Sequence, residues 1–157
     1  MIGQVDVKSL PVYFYVQKIN DFNTTTTPIP FDFEVLNVGG AMNSTSGKFT
    51  APRAGTYFFA FNGNAYFPAS SYSYFDFHIN IYLNGNLLVG GHANELSSTA
   101  SEEYETVSLQ STVNLQSGDQ VWLQITTANS GSYLYGLPTH FSGFLLQENM
   151  SQSLTIV

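Results

Sequence analysis

Three histidines and eleven acidic residues, with no cysteine, are the groups in this 157-residue chain to which chemistry would fall. His78, His92 and His140 stand far apart and lack metal-ligand spacing, so each reads as a partly exposed or interface histidine. Asp32 and Glu34 share one strand face, the pattern of a solvated edge rather than of an acid/base pair. No nucleophile elbow, phosphate loop or zinc motif is present. The chain is therefore not expected to be an enzyme. Asp119 follows Gly118 in a turn, where an Asp commonly bonds its own downstream backbone. Trp122, the one Trp, reads as core or intersubunit packing.

Composition narrows the partners. Four Lys and Arg against eleven Asp and Glu give a net charge of −7. Nucleic-acid binding needs basic surface to displace counterions, so that class is disfavoured. Anionic membrane surfaces are disfavoured on the same ground, and no apolar run approaches the roughly 20 residues of a span. Without cysteine the redox compartment is not legible. Met1 is not followed by a signal-peptide pattern, which suggests a mature fragment or another export route. Sequons stand at Asn23, Asn43 and Asn149, at a frequency that chance can supply.

The elements that must carry these residues are strands. With 15% aromatics, 10% charged residues and no sustained helical period, the pattern favours sheets. Residues 1–9 read as a flexible leader, 10–147 as one globular domain and 148–157 as a tail. Strands are expected over Pro11–Ile19 and Pro30–Val38, the second with Phe31, Phe33 and Val35 on one face. Tyr13, Phe14 and Tyr15 alternate faces, so both faces of the first strand are aromatic, which points to a subunit interface. Gly47–Phe61 reads as strand, turn and strand, with Pro52 ending the first strand and Gly55 supplying unusual turn angles. Tyr74–Leu83 alternates cleanly into the Asn84-Gly85 hairpin turn, and Leu87–Gly91 returns. Thr106–Leu115, Val121–Thr126 and His140–Leu146 follow. Asn62–Ser73, Asn94–Glu105 and Thr127–Pro138 are read as loops, the last with an irregular aromatic Ser132–Leu137. About ten short strands make an all-β antiparallel jelly-roll sandwich.

The hairpin's spelling is more specific than its physics. Gly47-Lys48-Phe49-Thr50-Ala51-Pro52-Arg53-Ala54-Gly55-Thr56-Tyr57-Phe58-Phe59 resembles the G-x-F-x-x-P-x-x-G-x-Y-x-F signature of the C1q globular-head family, relatives of the tumour necrosis factor ligands. Leu115–Leu123 (LQSGDQVWL) resembles the family's L-x-x-G-D-x-V-W-L. Phe141–Leu145 (FSGFL) resembles its terminal strand, and Phe31–Gly39 its approach to the hairpin. The matches keep the family's order between Pro11 and Gln147.

That resemblance implies a secreted homotrimer without enzymatic activity, a recognition module of the kind met in innate immunity. It would bind protein, glycan or microbial-surface ligands through apical loops, with avidity from trimerisation. Tyr66, Phe67, Tyr72, Tyr133 and Tyr135 are the candidate ligand contacts, since Tyr offers large area at low entropic cost. Tyr13, Tyr15, Phe75, Phe77 and Phe141 are the candidates for the trimer interface, shared with the core. The resemblance also implies calcium in the loop before Leu115. Glu105 falls near a family ligand position where Asp is usual, and Glu102 and Glu103 are its supporting candidates. The earlier acidic position is Ser or Thr here, near Ser97–Thr99. A receptor-binding ligand of the tumour necrosis factor type, or a structural trimerising head on a stalk or filament, are the alternative readings.

Overall fold

The computed structural model describes residues 10–69, 73–97 and 101–150. Ten strands run through them: β1 Tyr13–Gln17, β2 Phe33–Val38, β3 Met42–Asn43, β4 Lys48–Thr50, β5 Gly55–Phe67, β6 Ser73–Leu83, β7 Asn86–Ser97, β8 Glu103–Leu115, β9 Gln120–Ala128 and β10 Tyr133–Glu148. They form two antiparallel five-stranded sheets, ordered β2-β1-β10-β5-β8 and β3-β4-β9-β6-β7. This is the jelly-roll sandwich that the strand pattern predicts.

Alternation sorts each strand between the core and an outer face. Odd positions of β5 point inward, from Tyr57, Phe59 and Phe61 to Ala65 and Phe67, and the even positions face out. Phe14 is buried on β1 while Tyr13 and Tyr15 lie on its outer side. The inner faces meet in an aromatic core. Phe49 contacts Phe59 at 5.2 Å and Tyr57 at 5.5 Å edge-on, and Phe14 meets Phe141 at 5.1 Å. Tyr57 keeps its hydroxyl satisfied by donating to the Arg53 carbonyl at 2.7 Å.

Two glycines are required by close approach. A Cβ on Gly143 would stand 2.6 Å from the Phe14 ring and 2.7 Å from that of Phe59. At Gly55 it would stand 2.4 Å from the Gln147 carbonyl oxygen, and Gly55 has no positive φ. Its role is therefore space at the start of β5, not an unusual turn angle. The Asn84-Gly85 turn does need such angles, with φ of 51° and 86°.

Several strand bounds differ from the sequence expectation. β5 runs on through Phe67, β7 through Ser97, β8 begins at Glu103 and β10 at Tyr133, so strand ends reach into all three expected loops. The expected common face of Phe31, Phe33 and Val35 is broken. Phe31 is buried, whereas Phe33 and Val35 are exposed on an edge strand whose register against β1 shifts at Tyr15/Val16. Phe31 precedes the strand, across a bend at Asp32, and the extra residue at Val35 shifts the pleat only further along.

Candidate functional site

The outer face of the β2-β1-β10-β5-β8 sheet is aromatic at both ends and polar between. Cross-strand register lays Tyr13, Phe144 and Phe58 in one row. Phe58 and Phe144 touch at 5.4 Å, and Phe144 and Leu146 are exposed. Beside Tyr13 and Phe144 an apolar groove of about 440 Å³ opens, lined in part by Pro11, Ser142 and Leu145. Further along, Asn62 pairs with His140 and Ser108, and Asn64 with Tyr135 and Thr106. Ser108 and Thr106 donate to the Asn62 and Asn64 side chains at 3.4 and 3.2 Å.

The far end is a tyrosine cluster. Tyr66 of β5 pairs with Tyr133 of β10 on one side and Tyr104 of β8 on the other. The Tyr66 and Tyr133 rings stack at 4.4 Å. Tyr104 meets Tyr66 and Tyr135 edge-on, each at 5.3 Å. Tyr66 donates its hydroxyl to Glu102 Oε1 at 2.8 Å. That bond is the main reason its pKa is pushed up to about 12, with desolvation and the Glu102 charge adding. Partial desolvation, then the nearby Glu102 and Asp21 charges among others, raise Tyr104 and Tyr133 as well. Asp21 is held close by accepting from the Gly136 backbone N–H at 2.9 Å.

Of the sequence candidates for ligand contact, Tyr66, Tyr133 and Tyr135 are thus brought together, on strands instead of loops. Tyr104 joins them and was missed. Phe67 faces the other way, buried and 5.8 Å from the Phe75 ring, because β5 keeps alternating to its end. Tyr72 lies outside the described residues. Among the interface candidates, Tyr13 is exposed and Tyr15 half-buried on the outer face. Phe75, Phe77 and Phe141 belong to the protomer's own core, at inward positions of β6 and β10.

The three glutamates expected at a calcium site do not converge. Glu103 and Glu105 pair with the inward residues Phe67 and Ala65, so they stand on the inward side of β8. Glu102 is turned to Tyr66 on the opposite face. Among the described residues no three His, Asp or Glu side chains are placed to hold a metal ion. The set does not fit the ion.

One further expectation needs correcting, at Asp119, and the other singled-out residues gain partners. Asp32 is exposed beside the edge strand, as expected, and it is also tightly partnered. Lys18 Nζ reaches it at 3.2 Å, and the backbone N–H groups of Ile19 and Asn20 donate to it at 2.7 and 2.9 Å. Lys18 itself is almost wholly buried. Asp119 bonds upstream, accepting from the Gln116 N–H at 2.8 Å, and takes the Asn84 side chain at 2.9 Å, which clasps two turns together. Trp122 lies on the outer face of the second sheet, beneath Lys48 Nζ at 4.7 Å and 6.2 Å from Tyr82. His78 and His92, distant in sequence, are cross-strand partners with rings 5.6 Å apart. His78 meets Asp76 at 2.9 Å. His140 packs edge-on to Tyr15 at 5.6 Å, and burial lowers its pKa.

Comparison with known proteins places this architecture. Caprin-2 of Danio rerio is 32% identical over 128 residues, covering 80% of this chain and 13% of that protein. Complement C1q tumor necrosis factor-related protein 5 of Rattus norvegicus is 27% identical over 135 residues, 81% of this chain and 49% of its own length. The chain therefore spans about half of the latter relative and a small part of the former. Among solved structures, the globular domain of zebrafish complement 1qA protein superposes with a TM-score of 0.65 at 18% identity, covering 88% of this chain and 99% of that one. Murine APRIL gives 0.61 at 14% identity, over 87% and 99%. Both show the fold. Residues 13–146 match the C1q domain, and the chain belongs to the C1q domain family.

Proposed function

We propose that the chain is a secreted, non-enzymatic recognition module that assembles as a homotrimer and binds protein, glycan or microbial-surface ligands at the end of the sandwich bearing Tyr66. The observation that carries this reading is the outer face of the β2-β1-β10-β5-β8 sheet. Tyr13, Phe58, Phe144 and Leu146 crowd its Pro11 end beside an apolar groove with no charged residue in its lining. Contiguous apolar surface of that kind favours coverage by another chain, and cyclic closure covers it with copies of itself. The tyrosine cluster at the other end combines large rings with hydroxyls and carboxylates, which suits polar ligands.

The test is binding of the chain to arrayed glycans and to intact bacterial cells, beside a Phe144→Lys variant. The reading predicts retained binding that weakens at least tenfold when the variant loses avidity. Equal binding by both, or none by either, contradicts it.

A further inference from the structure

The geometry points to an arginine side chain, presented by a basic protein segment, as the occupant of the Tyr66–Tyr104–Tyr133–Tyr135 cluster. This rests on the recognition reading above and names the chemistry of its ligand. Three observations carry it.

The first is the aromatic surface. Four rings touch in sequence at 4.4 to 5.3 Å, and Tyr104 stands about half exposed at the rim. Tyrosine faces carry negative potential, and a flat guanidinium both stacks on them and donates from its edges. The second is charge. Glu102 accepts from the Tyr66 hydroxyl at 2.8 Å, and Asp21 accepts from the Gly136 N–H, next in the chain to Tyr135, at 2.9 Å. A cation relieves both carboxylates and leaves the phenols neutral.

The third is that the described part of the chain has no cation to spare. Lys18 is committed to Asp32, Lys48 to the Trp122 ring, and Arg53 to the Leu10 carbonyl and Glu148. The remaining basic residue, Lys8, lies outside the described residues. Self-contact at this end would also bring like carboxylates together, unlike at the uncharged Tyr13–Phe144 end. The complement is an external arginine.

The experiment uses the full chain with isotopically labelled tyrosine rings, titrated with acetyl-Gly-Arg-Gly-Arg-Gly-amide and with its citrulline counterpart. Shifts of the Tyr66, Tyr104 and Tyr133 ring signals are expected with the arginine peptide alone. Glu102→Gln and Tyr104→Ala should each weaken binding roughly five- to tenfold. Tyr104→Phe, which keeps the ring, should bind like the parent. Asp76→Asn removes one charge from the other sheet and should leave affinity unchanged. Equal response to citrulline, no shift in the cluster, or equal weakening by Asp76→Asn overturns the assignment. Sedimentation of the same samples separates the two claims. A trimer without cluster shifts sinks the arginine site alone, and a monomer with them sinks the assembly alone.

Discussion

Tyr66 donates its hydroxyl to Glu102 at 2.8 Å, linking the end of β5 to the residue just before β8. The bond needs a protonated phenol, and it holds the Tyr66 pKa at about 12. A tyrosine whose folded pKa lies above its unfolded value of about 10 stabilises the fold fully below that value. The contribution fades as pH rises through about 12. Ultraviolet titration of the tyrosines should show a late-ionising group that Glu102→Gln returns toward the ordinary range. An unchanged titration curve would separate Glu102 from Tyr66.

Asp32 governs the acid side. Burial raises its pKa, but the N–H groups of Asn20 and Ile19 and the Lys18 ammonium outweigh that and hold it below the usual range. A depressed carboxyl stabilises the fold above its unfolded pKa of about 4 and loses that contribution as pH falls through the folded value. Melting temperature should therefore drop below about pH 4. Asp32→Asn leaves the buried Lys18 ammonium without its counter-charge and should cost about 3 kcal/mol near neutrality in urea unfolding. A cost under ~1 kcal/mol would mean that Lys18 finds water instead.

The Phe14–Gly143–Phe59 contact has no room for a methyl group. Gly143→Ala should destabilise the domain by about 1–3 kcal/mol through overpacking. Thermal unfolding of the variant checks this, and an unchanged midpoint would show that the two rings yield freely.

Calcium should leave the melting temperature unmoved. Glu102 faces away from Glu103 and Glu105, so the described residues offer no converging set of carboxylates. Melts in excess calcium and in chelator are expected to coincide. A calcium-dependent rise that Glu105→Ala abolishes would contradict this placement.

The family and the sandwich were legible because their signals are local. Gly47 takes the positive φ of a turn, Phe49 and Tyr57 fill core positions, Gly55 stands where a Cβ has no room, and Asn84-Gly85 announces its own hairpin. Strand length was harder to read. Asn62, Gly63 and Asn64 look like a loop, yet Ala65 and Phe67 continue the odd-numbered burial of Tyr57, Phe59 and Phe61. Following that alternation would have kept β5 intact and placed Phe67 in the core. The site was legible in part. Tyr66, Tyr133 and Tyr135 carry a visible aromatic signal, but their meeting with Tyr104 depends on the β10-β5-β8 order, which is a long-range pairing. Lys18–Asp32 and Asn84–Asp119 escaped for the same reason, since each joins residues that only the folded topology brings together.

The central claim is that copies of this chain cover the Tyr13–Phe144 end of the outer sheet face. Sedimentation equilibrium tests it most directly. The account predicts one species of three times the 17.3 kDa chain mass, reduced to single chains by Phe144→Lys with the fold retained. A parent protein sedimenting at 17.3 kDa across the micromolar range would contradict it.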